Sequence, residues 1–356
     1  MSGNNNKLKA ELLRWYQENQ RVLPWRGSKD PYKIWLSEVI MQQTRVAQGT
    51  PYYLKFTEKY PTVASLAAAD EHDVLILWQG LGYYSRGRNL LKASRQVMLD
   101  FDGEFPKEYK DLIKLKGVGP YTAAAIASIA FKKPNAVLDG NVFRVLSRIY
   151  GIETPINAPG AREIFQDYAD KLLDKKDPGT FNEAMMEFGA TLCLPANPLC
   201  DNCPVMSFCV AKKENLQDVL PVKIALKKVK TRYLHYLFVN NNDQFIIRLR
   251  QPGDIWQGLY ELPLVETNNE EILDLKKASE VTGLDFSFMK PVKKMTHKLT
   301  HQRLEITFYE SDISQDINGV NVLTDTIGYK HYPLPKPLEL FLKEYLCSPV
   351  RMATQG

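Results

Sequence analysis

Residues 109–150 read YKDLIKLKGVGPYTAAAIASIAFKKPNAVLDGNVFRVLSRIY. The stretch opens on a short apolar-periodic helix carrying Leu112, Ile113 and Leu115, which stops at Lys116-Gly117-Val118-Gly119. A second helix starts at once, with Pro120 in its first turn, where a missing N–H costs nothing. Its small residues, Ala123, Ala124, Ala125 and Ala127, allow neighbours to pack very close. Gly117 and Gly119 let the backbone turn tightly and present N–H groups at a helix N-terminus, an arrangement suited to a phosphate oxygen. After Val137-Leu138, Asp139-Gly140-Asn141 opens a third helix that carries Arg144 and Arg148.

Towards the N-terminus, residues 7–24 form an amphipathic pattern (Leu8, Leu12, Leu13, Tyr16) that ends near Leu23-Pro24, followed by Trp25-Arg26. The polar start MSGNNN is expected to be a disordered tail. Asp30-Pro31 reads as a cap and first turn for a helix over Tyr32–Gln43. Glu38 lies inside that otherwise apolar helix. It is either a buried carboxyl with a raised pKa, as a general acid requires, or a carboxyl at the solvent edge. Gln42-Gln43-Thr44 ends the helix with polar groups. Further on, the glycines of Trp78-Gln79-Gly80-Leu81-Gly82-Tyr83-Tyr84 are expected to push Leu81 and Tyr83 outward, as wedges between base steps or as turn packing. Arg86 and Arg88 either meet phosphates or are solvated.

Residues 159–192 are helical again. Then come Cys193, Cys200, Cys203 and Cys209, spaced C-x6-C-x2-C-x5-C. Four thiols in one short irregular loop suit a [4Fe–4S] cluster better than zinc, which more often uses two close pairs. A spread-out disulfide framework is not what this pattern describes. Cys347 stands alone and reads as an unliganded thiol. The chain has 356 residues, 24% charged and 44% hydrophobic, with a formal net charge of +5. This is an ordinary globular balance, mildly basic, that permits a nucleic-acid partner without requiring one. No apolar run is long enough to span a bilayer and no signal peptide is apparent, so a cytoplasmic location is expected.

After Pro221 the texture changes. Lys223, Lys227, Lys228, Lys230 and Arg232 make a basic linker. Strands follow at 233–239 and 244–249, then 259–264, a helix around 270–281, and strands within 293–310. The domain reading is a tail over 1–6, a mainly α domain over 7–215 with its cysteine loop at 193–209, a linker over 216–231, an α+β domain over 232–348, and a tail over 349–356.

Taken together, WLSEVIMQQTRV, GLGYYSRGRNL, KGVGPYTAAAIASIAF, LDGNVFRV and the four cysteines resemble the helix-hairpin-helix DNA glycosylases with an iron–sulfur loop, and within them the MutY-type adenine glycosylases. The likeness covers nearly the whole chain. It implies removal of adenine paired with 8-oxoguanine, or less well with guanine, from duplex DNA, by a monomer in the bacterial cytoplasm associated with the nucleoid. It also implies residue roles. Glu38 matches the acid that protonates adenine at N7 and helps position water, and Asp139 the carboxylate that stabilises the sugar cation, either by its charge or as a covalent nucleophile. Tyr121 and Asn141 match supporting polar groups. Trp25, Arg26 and Glu183 match residues around the flipped base. Gln42, Gln43, Thr44, Leu81, Tyr83, Gly117 and Gly119 match the DNA-contacting set, and the four cysteines match the cluster ligands. Relatives that cleave the strand place a lysine two residues after the second hairpin glycine, and here that position is Tyr121. A phenol forms no Schiff base, so a glycosylase without efficient lyase activity is expected.

The second domain resembles a Nudix-like lesion reader, opening at Trp256-Gln257-Gly258-Leu259-Tyr260-Glu261-Leu262-Pro263. No arginine occurs between Pro263 and Phe288, so the arginine-glutamate helix of a working Nudix hydrolase is missing. Leu299-Thr300-His301 aligns with the family's Phe-Ser-His loop that contacts 8-oxoguanine. It keeps a hydroxyl and an apolar side chain but loses the aromatic ring. Two other classes differ from this pattern at named positions. A non-catalytic damage binder would lack Glu38 or Asp139, and a strand-cleaving pyrimidine-lesion enzyme would have the lysine.

Overall fold

The computed structural model describes residues 2–225, 229–241, 244–314, 322–325 and 327–346. Chain contacts divide it into two compact units, one of Met1–Ala69 with Asn89–Leu226, the other of Asp70–Arg88 with Lys227–Gly356. Cys347, Lys227, Lys228 and the 349–356 tail lie outside the described residues.

The first unit is helical: α1 Ser2–Asn19, α2 Pro31–Met41, α3 Val46–Lys59 and α4 Val63–Ala67 precede the 70–88 segment. That segment holds α5 Glu71–Trp78 and the first turn of α6 Ser85–Asp100. Then follow α7 Tyr109–Leu112, α8 Pro120–Phe131, α9 Gly140–Tyr150, α10 Ala161–Leu172, α11 Pro178–Thr191 and α12 Val210–Glu214. The expected disordered start is corrected: α1 begins at Ser2, and Asn5 accepts a hydrogen bond from the Tyr150 hydroxyl at 3.1 Å. The helix also stops at Asn19, short of Pro24.

Every residue of α8 from Thr122 to Ile129 is buried. Its alanines make this possible, because a helix without long side chains can be approached on all sides. The same economy recurs opposite. A Cβ on Gly179 of α11 would sit 2.9 Å from the Ile129 Cα, and one on Gly189 would sit 2.6 Å from the Asn141 Cβ. Buried Asn182, also on α11, takes the segment leading to Asp139 in hand. It accepts from the Val137 N–H (3.1 Å) and donates to the Asn135 carbonyl and Ser128 Oγ (both 2.8 Å). A buried amide satisfied on both its ends holds one geometry, since any slip would leave a polar group unpaired.

The second unit is built on β1 Lys230–Asn241, β2 Gln244–Leu249, β3 Tyr260–Glu261, β4 Leu264–Thr267, β5 Phe286–Lys298, β6 Gln302–Ile313 and β7 Val322–Asp325, with helices α13 Leu275–Thr282 and α14 Lys336–Leu346. The sheet runs β3-β2-β1-β6-β5, with β4 pairing β1 and β7 pairing β2. β1 and β6 are parallel, and β1 sends alternate side chains into two separate cores. Leu234, Tyr236 and Phe238 join Leu304, Ile306, Phe308 and Phe341 of α14 in one core. Leu237, Val239 and Tyr309 face the opposite way, with Ala278 of α13. The single strand expected over 259–264 is divided at Leu262-Pro263, where proline has no N–H to give a ladder. The helix expected from 270 starts only at Leu275, capped by Asp274.

Candidate active site

Three elements converge. Asp30 accepts the Tyr32 N–H at 2.9 Å and starts α2, which brings Glu38 inward. Pro120 starts α8 and places Tyr121 one position later. Asp139 is the N-cap of α9. The Tyr121 hydroxyl donates to Glu38 Oε2 at 2.6 Å and also lies 3.0 Å from Met186 Sδ of α11. Asp139 Oδ1 accepts the Val142 N–H at 2.7 Å, and Oδ2 accepts the Asn141 amide at 2.8 Å.

The two carboxyls are held unequally. Burial pushes Glu38 up to about 7, with the Asp139 and Glu183 charges acting the same way; the Tyr121 hydrogen bond and Arg26 pull down. Asp139 is also raised by burial, against the Val142 and Asn141 donors and Arg144. Two donors satisfy Asp139 at a helix N-terminus, where a negative charge is favoured. Glu38 has one. The arrangement suits a Glu38 that carries a proton near neutrality beside an Asp139 that does not.

Around them, Arg26 donates to Glu187 Oε2 at 3.0 Å, lies 3.8 Å from Glu183 and covers the Tyr16 ring. Burial raises Glu183. Burial also works on Glu187, but Arg21 (2.5 Å through Nε) and Arg26 outweigh it and leave that carboxyl below its ordinary range. Trp25 is half-buried, edge-on to Tyr53 with centroids 5.1 Å apart. Gln42 donates to Thr122 Oγ1 at 3.3 Å, and Gln43 is exposed at a φ of 54°. Thr44 caps the end of α2 through its own N–H to Met41 O at 3.1 Å. Gly117 adopts a φ of +77°, and a Cβ there would fall 2.7 Å from the Asn89 Cβ; no other residue fits the turn. Gly119 is the N-cap of α8.

In the second unit the expectation for the 78–84 loop is half corrected. Tyr83 is 49% exposed, but Leu81 is buried at 6%. Arg86 is buried too, its guanidinium over the Trp78 and Tyr83 rings and donating to Gly82 O at 3.2 Å. Arg88 donates to Gln257 O. Both arginines therefore brace backbone in this structure. Leu299-Thr300-His301 forms the turn between β5 and β6, closed by Leu299 N–H to Gln302 O at 2.8 Å. Thr300 and His301 are exposed, and the Thr300 hydroxyl is 2.6 Å from that of Tyr83.

The four cysteine sulfurs line one cavity with Arg148, Phe188 and Lys212. Arg148 Nη1 lies 3.4 Å from Cys193 Sγ and 2.6 Å from Leu194 O. Burial pushes the Cys203 thiol up to about 12, so thiolates there call for a compensating cation. Among the described residues no three His, Cys, Asp or Glu side chains converge on a single-ion position. Four sulfurs around a cavity fit a group with several metal atoms better than one ion. Arg144 spans from this loop to the carboxylate site: it donates to Cys193 O (2.8 Å), Gly189 O (2.7 Å) and Asn141 Oδ1 (3.0 Å).

A family model for HhH-GPD superfamily base excision DNA repair proteins matches residues 36–171, and one for the NUDIX domain matches 235–344. The adenine DNA glycosylase of Buchnera aphidicola (subsp. Schizaphis graminum) is 32% identical over 338 residues, covering 93% of this chain and 96% of that protein. The chain belongs to the adenine DNA glycosylase family. The human family member is 43% identical over 221 residues, covering 60% of this chain and 40% of its own length. A thermostable thymine-DNA glycosylase superposes with a TM-score of 0.56 at 27% identity, over 60% of this chain and 98% of its own.

Sequence reading missed Glu187, Met186 and Arg21. Glu183, Met186 and Glu187 stand at i, i+3 and i+4 on α11, one helix face. Carboxyls on a helix whose opposite face carries Met185 and Phe188 were the available signal.

Proposed function

We propose that this chain removes adenine opposite 8-oxoguanine, and more slowly opposite guanine, from duplex DNA by hydrolysis, without an efficient strand-cleavage step. The observation that carries the reading is the Tyr121 hydroxyl 2.6 Å from Glu38, with the Asp139 charge bearing on both. The adenine nucleoside must leave the stack to reach these groups. Glu38 gives its proton to adenine N7. The C1′–N9 bond breaks, and its electron pair leaves with the base. Asp139 stabilises the sugar cation. Water attacks C1′ and returns a proton to Glu38. Arg26 and Glu183 border the base, held through Glu187.

Tyr121 stands where a lysine would form a Schiff base, and its hydroxyl lies within hydrogen-bond reach of Glu38. Cys193, Cys200, Cys203 and Cys209 would hold a [4Fe–4S] cluster. When bound, the cluster supplies a multi-sulfur cross-link that fixes the loop between α11 and α12. The hairpin at Gly117–Gly119 meets phosphate, and the Leu299-Thr300-His301 turn meets the opposite base. A duplex with one A:8-oxoguanine pair tests the reading: base release scored after alkali, with little strand breakage before it. Strong nicking without alkali overturns the monofunctional reading, and no adenine release overturns the whole.

A further inference from the structure

Tyr121 has one hydroxyl proton and two acceptors within reach, Glu38 Oε2 at 2.6 Å and Met186 Sδ at 3.0 Å. Among the described residues Tyr121 is the one hydrogen-bond donor found on Glu38. This matters because the phenol can answer the two forms of Glu38 in opposite ways. With the carboxylate, it donates. When Glu38 carries a proton on the oxygen facing Tyr121, the phenol oxygen must accept that proton, and its own O–H has to turn elsewhere. Met186 is the acceptor it turns to. A thioether is a weak acceptor, but in a buried site a weak partner is worth more than none.

We propose that Met186 is a positioning residue for proton transfer: its sulfur accepts the Tyr121 hydroxyl when Glu38 carries its proton on the oxygen facing Tyr121, and so holds Glu38 in that acid-bearing form. The proposal rests on the reading of Glu38 as the acid. Without the sulfur, a turned phenol would lose its protein partner in a part-buried site, and the site would favour the carboxylate. The charged and titratable groups facing Glu38 are Tyr121 on α8, Asp139 at the start of α9, Glu183 on α11 and Arg26 before α2. None of them is removed by changing Met186. Sulfur chemistry, rather than bulk, is what the substitution tests, because leucine nearly conserves the volume.

The test is the pH dependence of single-turnover adenine release by the full chain on a duplex holding A opposite 8-oxoguanine. Release that needs a protonated acid falls as pH rises, and the midpoint of that fall is the readout. Met186→Leu is expected to move the midpoint down by about half a pH unit. Met186→Gln, whose amide oxygen can accept, returns it towards wild type. Tyr121→Phe removes the donor to the carboxylate and moves it up; adding Met186→Leu to that variant then changes nothing further. A merely structural role for Met186 would lower the rate without moving the midpoint. An unmoved midpoint in Met186→Leu, or a shift that persists when Tyr121 is already Phe, overturns the proposal. Glu38→Gln separates this from failure of the parent reading. If it keeps both turnover and the alkaline fall, Glu38 is not the acid and both readings go; if it loses either while Met186→Leu is silent, the relay alone is wrong.

Discussion

In the helical unit, Glu38 faces Asp139 and Glu183 and accepts a hydrogen bond from one phenol. In the sheet unit, Asp254 and Glu266 share the guanidinium of Arg232, Glu266 through Nε and Nη2 at 2.7 and 2.6 Å, and Asp254 through Nη1 and Nη2 at 2.7 and 2.6 Å. Asp254 also takes Arg250 at 2.6 Å. There the arginine forks hold the Asp254 carboxyl well below its usual range, Arg232 foremost. Deeper in the same network burial still raises Glu261, in spite of Arg250. The difference is between carboxyls paired with cations to fix a fold and carboxyls crowded with one another to hold a proton. The second arrangement costs stability, and perturbed carboxyls of this kind cluster at functional sites.

The largest effect should come from breaking the reactive side. Glu38→Gln and Asp139→Asn are each expected to reduce adenine release by about 10²–10⁴-fold while duplex binding persists, measured in single-turnover assays and by gel shift. Wild-type rates in both variants would remove the contrast between the two regions. Next is the structural side. Arg232→Ala leaves Asp254 and Glu266 without their shared cation, and chemical denaturation should show the second unit weakened by about 2 kcal/mol. That is below the roughly 3–5 typical of a fully buried pair, because both acids keep more than a third of their side chains exposed.

The two regions should also answer pH with opposite signs. Glu38 is raised from 4.5 to about 7, so the folded protein holds a proton the unfolded chain has lost in that window, and its contribution to stability falls as pH rises through it. Asp254 is lowered, so its contribution is present above the ordinary carboxylate range and is lost only as pH falls below it. Melting temperatures across this range should show Glu38→Gln gaining on wild type towards alkaline pH; a constant difference would refute the assignment of the proton to Glu38. The smallest effect concerns Tyr83. Tyr83→Phe removes its 2.6 Å contact to Thr300. Preference for 8-oxoguanine over guanine should drop roughly fivefold, the scale of one neutral hydrogen bond. No change in that ratio would assign the contact to folding alone.

Much of this was legible in the chain. Asp30-Pro31, Gly119-Pro120 and Asp139-Gly140-Asn141 each announce a helix start through local cap chemistry, and each start was found where it was expected. The segment 299–301, which forms the β5–β6 turn, was singled out through its likeness to the family's Phe-Ser-His loop. Leu81 was not: it is buried at 6%, and flanking glycines are silent on what packs over a side chain. The polar first residues failed for a related reason, since α1 continues to Ser2 with Asn5 receiving a partner 145 residues away.

What the sequence determined alone is the set of groups and their local frames: which carboxyls, which phenol, which four cysteines, and the turns and caps that start each helix. Those depend on neighbours a few residues apart. Only the tertiary structure decided which of them share a site and how their protons are divided. Tyr121 meets Glu38 across 83 residues and Met186 across 65, and Arg144 reaches Cys193 across 49. The division of protons follows from burial and from the number of donors each carboxyl finds, and both are properties of packing between helices that local sequence does not carry.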